Sequence, residues 1–181
     1  VRLLEELGED ARREGLCDTP ARFLKAWKEM TAGYAMDITL KGMESSDLLS
    51  PADTHGMVVV QDIAFHSLCE HHLLPFVGKV HVGYLPDHHL IGHSKIPRIV
   101  EMYARRLQVQ ERIGQQICDA LEGVLQPRGI GVIVEASHFC MMMRGVKKEG
   151  ARIITSHLKG AFKDDPRTRQ EFLSLIGFHS R

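Results

Sequence analysis

Apolar residues first recur at helical spacing where Phe23, Leu24, Trp27 and Met30 follow Asp18-Thr19-Pro20. That pattern predicts an amphipathic helix capped by Thr19, with Pro20 in its first turn and Gly33 at its end. Ahead of it, Val1 to Leu7 reads as the end of a helix stopped by Gly8. Tyr34 to His55 mixes apolar and polar residues around Ser45-Ser46 and Pro51, and reads as a connecting loop. Met57 to Phe65 is rich in Val and Ile and predicts a strand. In Val77 to Leu85, Val80, Val82 and Tyr84 alternate with Lys79, His81 and Gly83, which predicts a second strand before a turn at Pro86-Asp87. Ser94 is expected to cap a helix carrying Ile96, Ile99, Val100 and Tyr103. Helical spacing breaks at Leu107-Gln108-Val109 and resumes with Ile113, Ile117, Leu121 and Val124 up to Pro127-Arg128-Gly129, giving an antiparallel helix pair. Ile130 to Phe139 predicts a third strand and Ala151 to Phe162 a fourth, with Gly160 as its weak spot. Thr168 to Ile176 predicts a closing helix.

The order strand-strand, helix-helix, strand-strand behind a helical arm predicts an α+β fold with an antiparallel four-stranded sheet. The chain divides into an N-terminal helical segment with its loop, residues 1–55, and a main domain, residues 56–181. A sheet of this kind has two edges that need covering, so identical subunits pairing edge to edge are expected.

Charge adds an exclusion. The 181 residues hold 23 Lys+Arg and 23 Asp+Glu, so no global field draws in nucleic acid or an anionic membrane, and an anion site must be a local cluster. No apolar run approaches the roughly 20 residues of a membrane span. The acidic opening Val1-Arg2-Leu3-Leu4-Glu5-Glu6 does not read as a signal peptide, and a cytoplasmic protein is expected. Four cysteines in a chain this long suggest metal binding or free thiols rather than a disulfide scaffold.

Cys69-Glu70-His71-His72 is the densest chemical signal. One turn of backbone can present Cys69 and His72 to a single ion, and a thiolate with an imidazole suits Zn²⁺. Alone, so short a cluster is as readily structural. Ser137-His138-Phe139-Cys140 strengthens it, because on a strand His138 and Cys140 share a face. Cys69, His72 and Cys140 make three ligands, the number typical of a catalytic zinc that keeps a place for water. Such a metal lowers the pKa of its water from about 15.7 to about 7, and His71 and His138 stand by as proton carriers. Cys118 fits a core position and Cys17 a loop. Lys95 and Arg98 share a face at a helix N-terminus, a natural anion site. With Arg144 and Arg22 they can form a phosphate pocket, although each alone also fits a solvated surface. Glu111, with Gln110 beside it, can accept from the N1–H and 2-amino edge of guanine, or simply face solvent in a polar turn. His88 and His89 belong to the turn after Pro86.

The stretches Cys69-Glu70-His71-His72-Leu73, Gly92-His93-Ser94-Lys95-Ile96, Arg106-Leu107-Gln108-Val109-Gln110-Glu111-Arg112, and His138-Phe139-Cys140 with Met143-Arg144-Gly145 together resemble GTP cyclohydrolase I. The resemblance runs from about Gly8 to Ile176. It implies the tunnelling fold for residues 56–181, two pentameric rings stacked into a decamer, and active sites at subunit interfaces. It implies Cys69, His72 and Cys140 as zinc ligands, His71 and His138 as catalytic histidines, and Ser94 acting on the ribose hydroxyls. Glu111 and Gln110 are implied to hold guanine, and Lys95, Arg98, Arg144 and Arg22 the triphosphate. The implied reaction opens the imidazole ring of GTP with water, releases formate and rearranges the product to 7,8-dihydroneopterin triphosphate, the first step of folate and pterin biosynthesis. His93 departs from the family's usual apolar residue before Ser94. Two rival readings are a tunnelling-fold nitrile reductase, which needs a nicotinamide cofactor and no zinc, and a non-catalytic zinc- and nucleotide-binding subunit.

Overall fold

The computed structural model describes residues 1–36, 48–49 and 56–178. Its N-terminal arm holds α1 (Arg2–Glu6), α2 (Thr19–Met30) and a 3-10 turn, Ala32–Tyr34. Then come β1 (Leu48–Leu49), β2 (Val58–Cys69), β3 (Pro75–Leu85), β4 (Leu90–Ile91), α3 (Lys95–Ala104), β5 (Leu107–Gln108) and α4 (Gln110–Leu125). The chain closes with β6 (Gly129–His138), α5 (Phe139–Met142), β7 (Ile153–Gly160), α6 (Ala161–Asp164) and α7 (Pro166–Leu175).

The main sheet has the order β5-β2-β3-β6-β7. Its four long strands are antiparallel neighbours, as the order of elements predicts. The fifth strand occupies the break at Leu107-Gln108 and lies parallel to the end of β2, pairing Leu68 with Leu107 and Cys69 with Gln108. β4 pairs with β1 in a separate small ladder, one short stretch of the expected connecting loop. Residues 37–47 and 50–55 of that loop lie outside the described residues.

One face of the sheet buries Val80, Val82, Val132 and Val134 against Ile96, Ile99 and Val100 of α3 and Ile113, Ile117 and Leu121 of α4. Valine suits the pleated face, while the 3.6-residue spacing of the helices aims their apolar stripes down onto it. Cys118 belongs to the same core, where burial pushes its thiol up to about 11. The opposite face carries Ile133 under Phe162 and Phe172, whose rings meet edge to face at 5.3 Å. Gly83 and Gly131 make that contact possible. A Cβ on Gly131 would sit 2.5 Å from Phe162 Cδ1, and one on Gly83 would sit 2.7 Å from Phe172 Cδ2.

Local chemistry departs from expectation at several points. α2 begins at Thr19, so Asp18 rather than Thr19 holds the cap position, and the Asp18 carboxylate accepts from Arg22 at 2.9 Å instead of capping. Ser94 stands at the N-cap of α3, but its side chain makes no capping bond. The third strand ends at His138, and Cys140 sits in the one-turn helix α5 that follows. His138 and Cys140 are therefore not two residues of one strand face. The fourth strand stops at Gly160, and the rest of its expected span forms α6.

Candidate active site

The ends of β2 and β6 reach the same end of the sheet through β3, which pairs Ser67 with Phe76 and Phe76 with His138. Beyond these pairs the chain turns at each strand end. After β2 the Cys69 carbonyl accepts from Leu73 N–H at 2.8 Å, and Cys69 N–H donates to the Leu74 carbonyl at 2.9 Å. This tight turn, with Leu73 at φ 56°, brings His72 Nδ1 to 3.8 Å from Cys69 Sγ. After β6, the turn of α5 carries Cys140 into the same place. Ligand atoms of Cys69, His72 and Cys140 all lie within 4.8 Å of one another. Tetrahedral ligands at 2.0–2.3 Å from one ion stand about 3.3–3.8 Å apart, so the cluster fits a small cation with little adjustment. Two sulfurs and an imidazole nitrogen are donors of the kind that hold zinc or copper rather than magnesium or calcium. Burial and the neighbouring Cys69 push the Cys140 thiol up, while the Arg144 charge pulls it down.

His138 is buried at 8% exposure, with its ring stacked on Phe76 at 4.5 Å and 5°. Its Nε2 lies 2.9 Å from Gln110 Oε1. Gln110, 1% exposed, directs Nε2 to the carbonyls of Val134 and Ile153, each at 3.0 Å. With both amide hydrogens on carbonyls, Oε1 can only accept, so His138 Nε2 carries a hydrogen and Nδ1 is the nitrogen that gains or loses a proton. Burial lowers the His138 pKa and the Glu111 carboxylate raises it. The Gln110 side chain is thus fully engaged within the chain, a role its sequence position beside Glu111 did not signal.

Glu111 is exposed in the first turn of α4 and has no hydrogen-bond or ion-pair partner among the described residues. His71 is exposed beside the metal turn, its ring edge-on to His72 at 6.3 Å. Arg144 is exposed shortly after Cys140. The other predicted phosphate ligands stand apart. α3 ends beside β5, next to Cys69, so Lys95 at its start, with the expected ribose contact Ser94, lies about 14–15 Å along the helix axis from that end, and Arg98 about 9 Å. Arg22 is exposed on α2 and paired with Asp18. Reading the motifs residue by residue missed one further contact: Arg112 grips both carboxylate oxygens of Glu70, at 2.6 and 3.1 Å. Both residues lie inside motifs singled out for other members, which was the available signal.

Comparison with known proteins gives the family. The family model described as GTP cyclohydrolase I matches residues 1–177. The GTP cyclohydrolase 1 of Methylococcus capsulatus is 53% identical over 177 residues, covering 97% of this chain and 93% of the relative. That of Leptospira biflexa is 52% identical over 174 residues, with 96% and 93% covered. That of Rattus norvegicus is 51% identical over 178 residues, with 96% and 71% covered. Among solved structures, the apo archaeosine synthase QueF-Like matches 60% of this chain and 97% of its own, with a TM-score of 0.51 at 15% identity. That likeness is one of fold, the tunnelling fold, and does not extend to chemistry. The rival readings as a nitrile reductase or a non-catalytic subunit gain no support from relatives that are half identical over nearly the whole length, and the chain belongs to the GTP cyclohydrolase I family.

Proposed function

We propose that this chain converts GTP and water to formate and 7,8-dihydroneopterin triphosphate, with Zn²⁺ held by Cys69, His72 and Cys140. The convergence of those three ligands beside a buried, oriented His138 carries the reading. Zinc in this set supplies a Lewis acid able to make a nucleophile from water near neutral pH. The chain's own residues do the rest. Glu111 accepts from the guanine N1–H and 2-amino group and so orients the purine. His138, fixed by Gln110 and Phe76, donates a proton from Nδ1 to the purine as the imidazole ring opens. His71, exposed beside the metal turn, exchanges protons with solvent and substrate. Ser94 acts on the ribose hydroxyls, while Lys95, Arg98, Arg144 and Arg22 bind the triphosphate.

The spread of these groups supports a site shared between copies, the start of α3 from one subunit facing the metal set of the next. The outer side of β7 is unpaired among the described residues, and β2 is covered by β5 only at Leu68 and Cys69, so both edges are open to such pairing. A decamer of two pentameric rings fits this reading. No described helix is long and apolar enough to cross a membrane, which is compatible with a cytoplasmic enzyme acting at the entry to pterin synthesis.

The test is direct. The purified protein should contain about one zinc per chain, release formate from GTP and yield a fluorescent pterin on oxidation. Cys69→Ser and Cys140→Ser should abolish ring opening while GTP still binds. Normal turnover by either variant in metal-free buffer would overturn the assignment.

A further inference from the structure

Glu70 sits between the ligand Cys69 and His71, and Arg112 directly follows Glu111. The two side chains join these stretches by a two-pronged contact, Arg112 Nη1 donating to Glu70 Oε2 at 2.6 Å and Nη2 to Oε1 at 3.1 Å. Backbone support between the same stretches is short. It comprises the two-residue pairing of β2 with β5 and one bond from Glu70 N–H to the Gln108 carbonyl at 3.0 Å.

We infer that the Glu70–Arg112 pair is a positioning clasp that fixes the metal turn against the start of α4, and so sets the distance between the metal and the purine held by Glu111. The inference rests on the reading of Glu111 as the guanine acceptor. Arg112 is 43% exposed and Glu70 32% exposed, and a pair this open to water contributes little to stability. Its geometric effect is larger. The fork of Arg on carboxylate fixes orientation as well as distance, and a misplacement of about 1 Å at a reacting centre can cost about a hundred-fold in rate. Neither residue needs to touch substrate for this, and the supporting contacts of a metal site are known to orient its ligands in the same manner.

A double-mutant cycle on the intact zinc-loaded enzyme tests it. Glu70→Gln and Arg112→Gln should each lower kcat about ten-fold while zinc content and melting temperature stay at wild-type values. The double variant Glu70→Gln/Arg112→Gln should be no slower than either single one, since the pair acts as a unit. The exchanged pair Glu70→Arg/Arg112→Glu should recover at least part of the rate. Unchanged kcat in the single variants, losses that multiply in the double variant, or a loss that follows zinc release would each overturn the clasp. Glu111→Ala, measured alongside, separates the underlying reading. If it binds GTP as tightly as wild type, the guanine assignment fails; if it binds weakly and the cycle is flat, the clasp alone fails.

Discussion

At the scale of single residues, surroundings sort chemically similar groups into different tasks. Gln110 and Glu111 are neighbours in sequence, yet one is buried with its amide saturated and the other is exposed with its carboxylate unpartnered among the described residues. An unpaired carboxylate is ready to accept from a guanine edge, and losing a charge-assisted bond of that kind costs about 1.5–3 kcal/mol. Glu111→Ala should therefore bind GTP roughly ten- to a hundred-fold less tightly, as equilibrium titration will show. The same substitution has a second readout. The Glu111 charge raises the His138 pKa against the lowering effect of burial. Without it the His138 pKa falls, so the proton-bearing form survives only to lower pH. The alkaline decline of kcat should then begin at lower pH in Glu111→Ala than in wild type. An unmoved pH profile would detach His138 from Glu111.

At the scale of elements, the sheet depends on glycines where the C-terminal helices settle on it. Phe162 and Phe172 are both fully buried, and their rings pack on each other at 5.3 Å. A methyl group at Gly131, 2.5 Å from Phe162 Cδ1, should cost about 1–3 kcal/mol as overpacking. Thermal or urea unfolding of Gly131→Ala will measure it, and wild-type stability would mean that α6 and α7 shift freely on the sheet. Long elements such as these were legible in the sequence, because a period of two or of 3.6 residues repeats several times within β3, β6, α3 and α4. Short ones were not. β4, β5 and α5 span one repeat or less, so nothing periodic marks them. That is why Cys140 was expected on a strand although it lies in a helical turn. The grouping of Cys69, His72 and Cys140 was legible because Cys and His advertise their chemistry by type. The task of Gln110 was not, because its partners are backbone carbonyls of Val134 and Ile153, 24 and 43 residues away, which no side-chain identity reveals.

At the scale of the whole molecule, the basic residues are spread over α2, the start of α3 and the segment after α5, and no phosphate bond breaks in the proposed reaction. Their contribution should fall mostly on binding. Arg144→Ala should raise KM for GTP with a smaller effect on kcat, and guanosine should be a very poor substrate of the wild-type enzyme. If Arg144→Ala lowers kcat/KM equally for GTP and guanosine, Arg144 does not act through the phosphates. The position of Cys69 and Cys140 at the ends of β2 and β6 has a consequence for how the chain assembles. The two thiols are far apart in sequence, and only the pairing of β2 with β3 and of β3 with β6 brings them together. A slip of one residue in either pairing turns every side chain to the opposite face and displaces a strand end by about 3.3 Å. A metal–sulfur bond of about 2.3 Å has no tolerance for that error. An ion held by Cys69, His72 and Cys140 would therefore be retained only by chains whose three strands are in register, and its capture would act as proofreading of the fold.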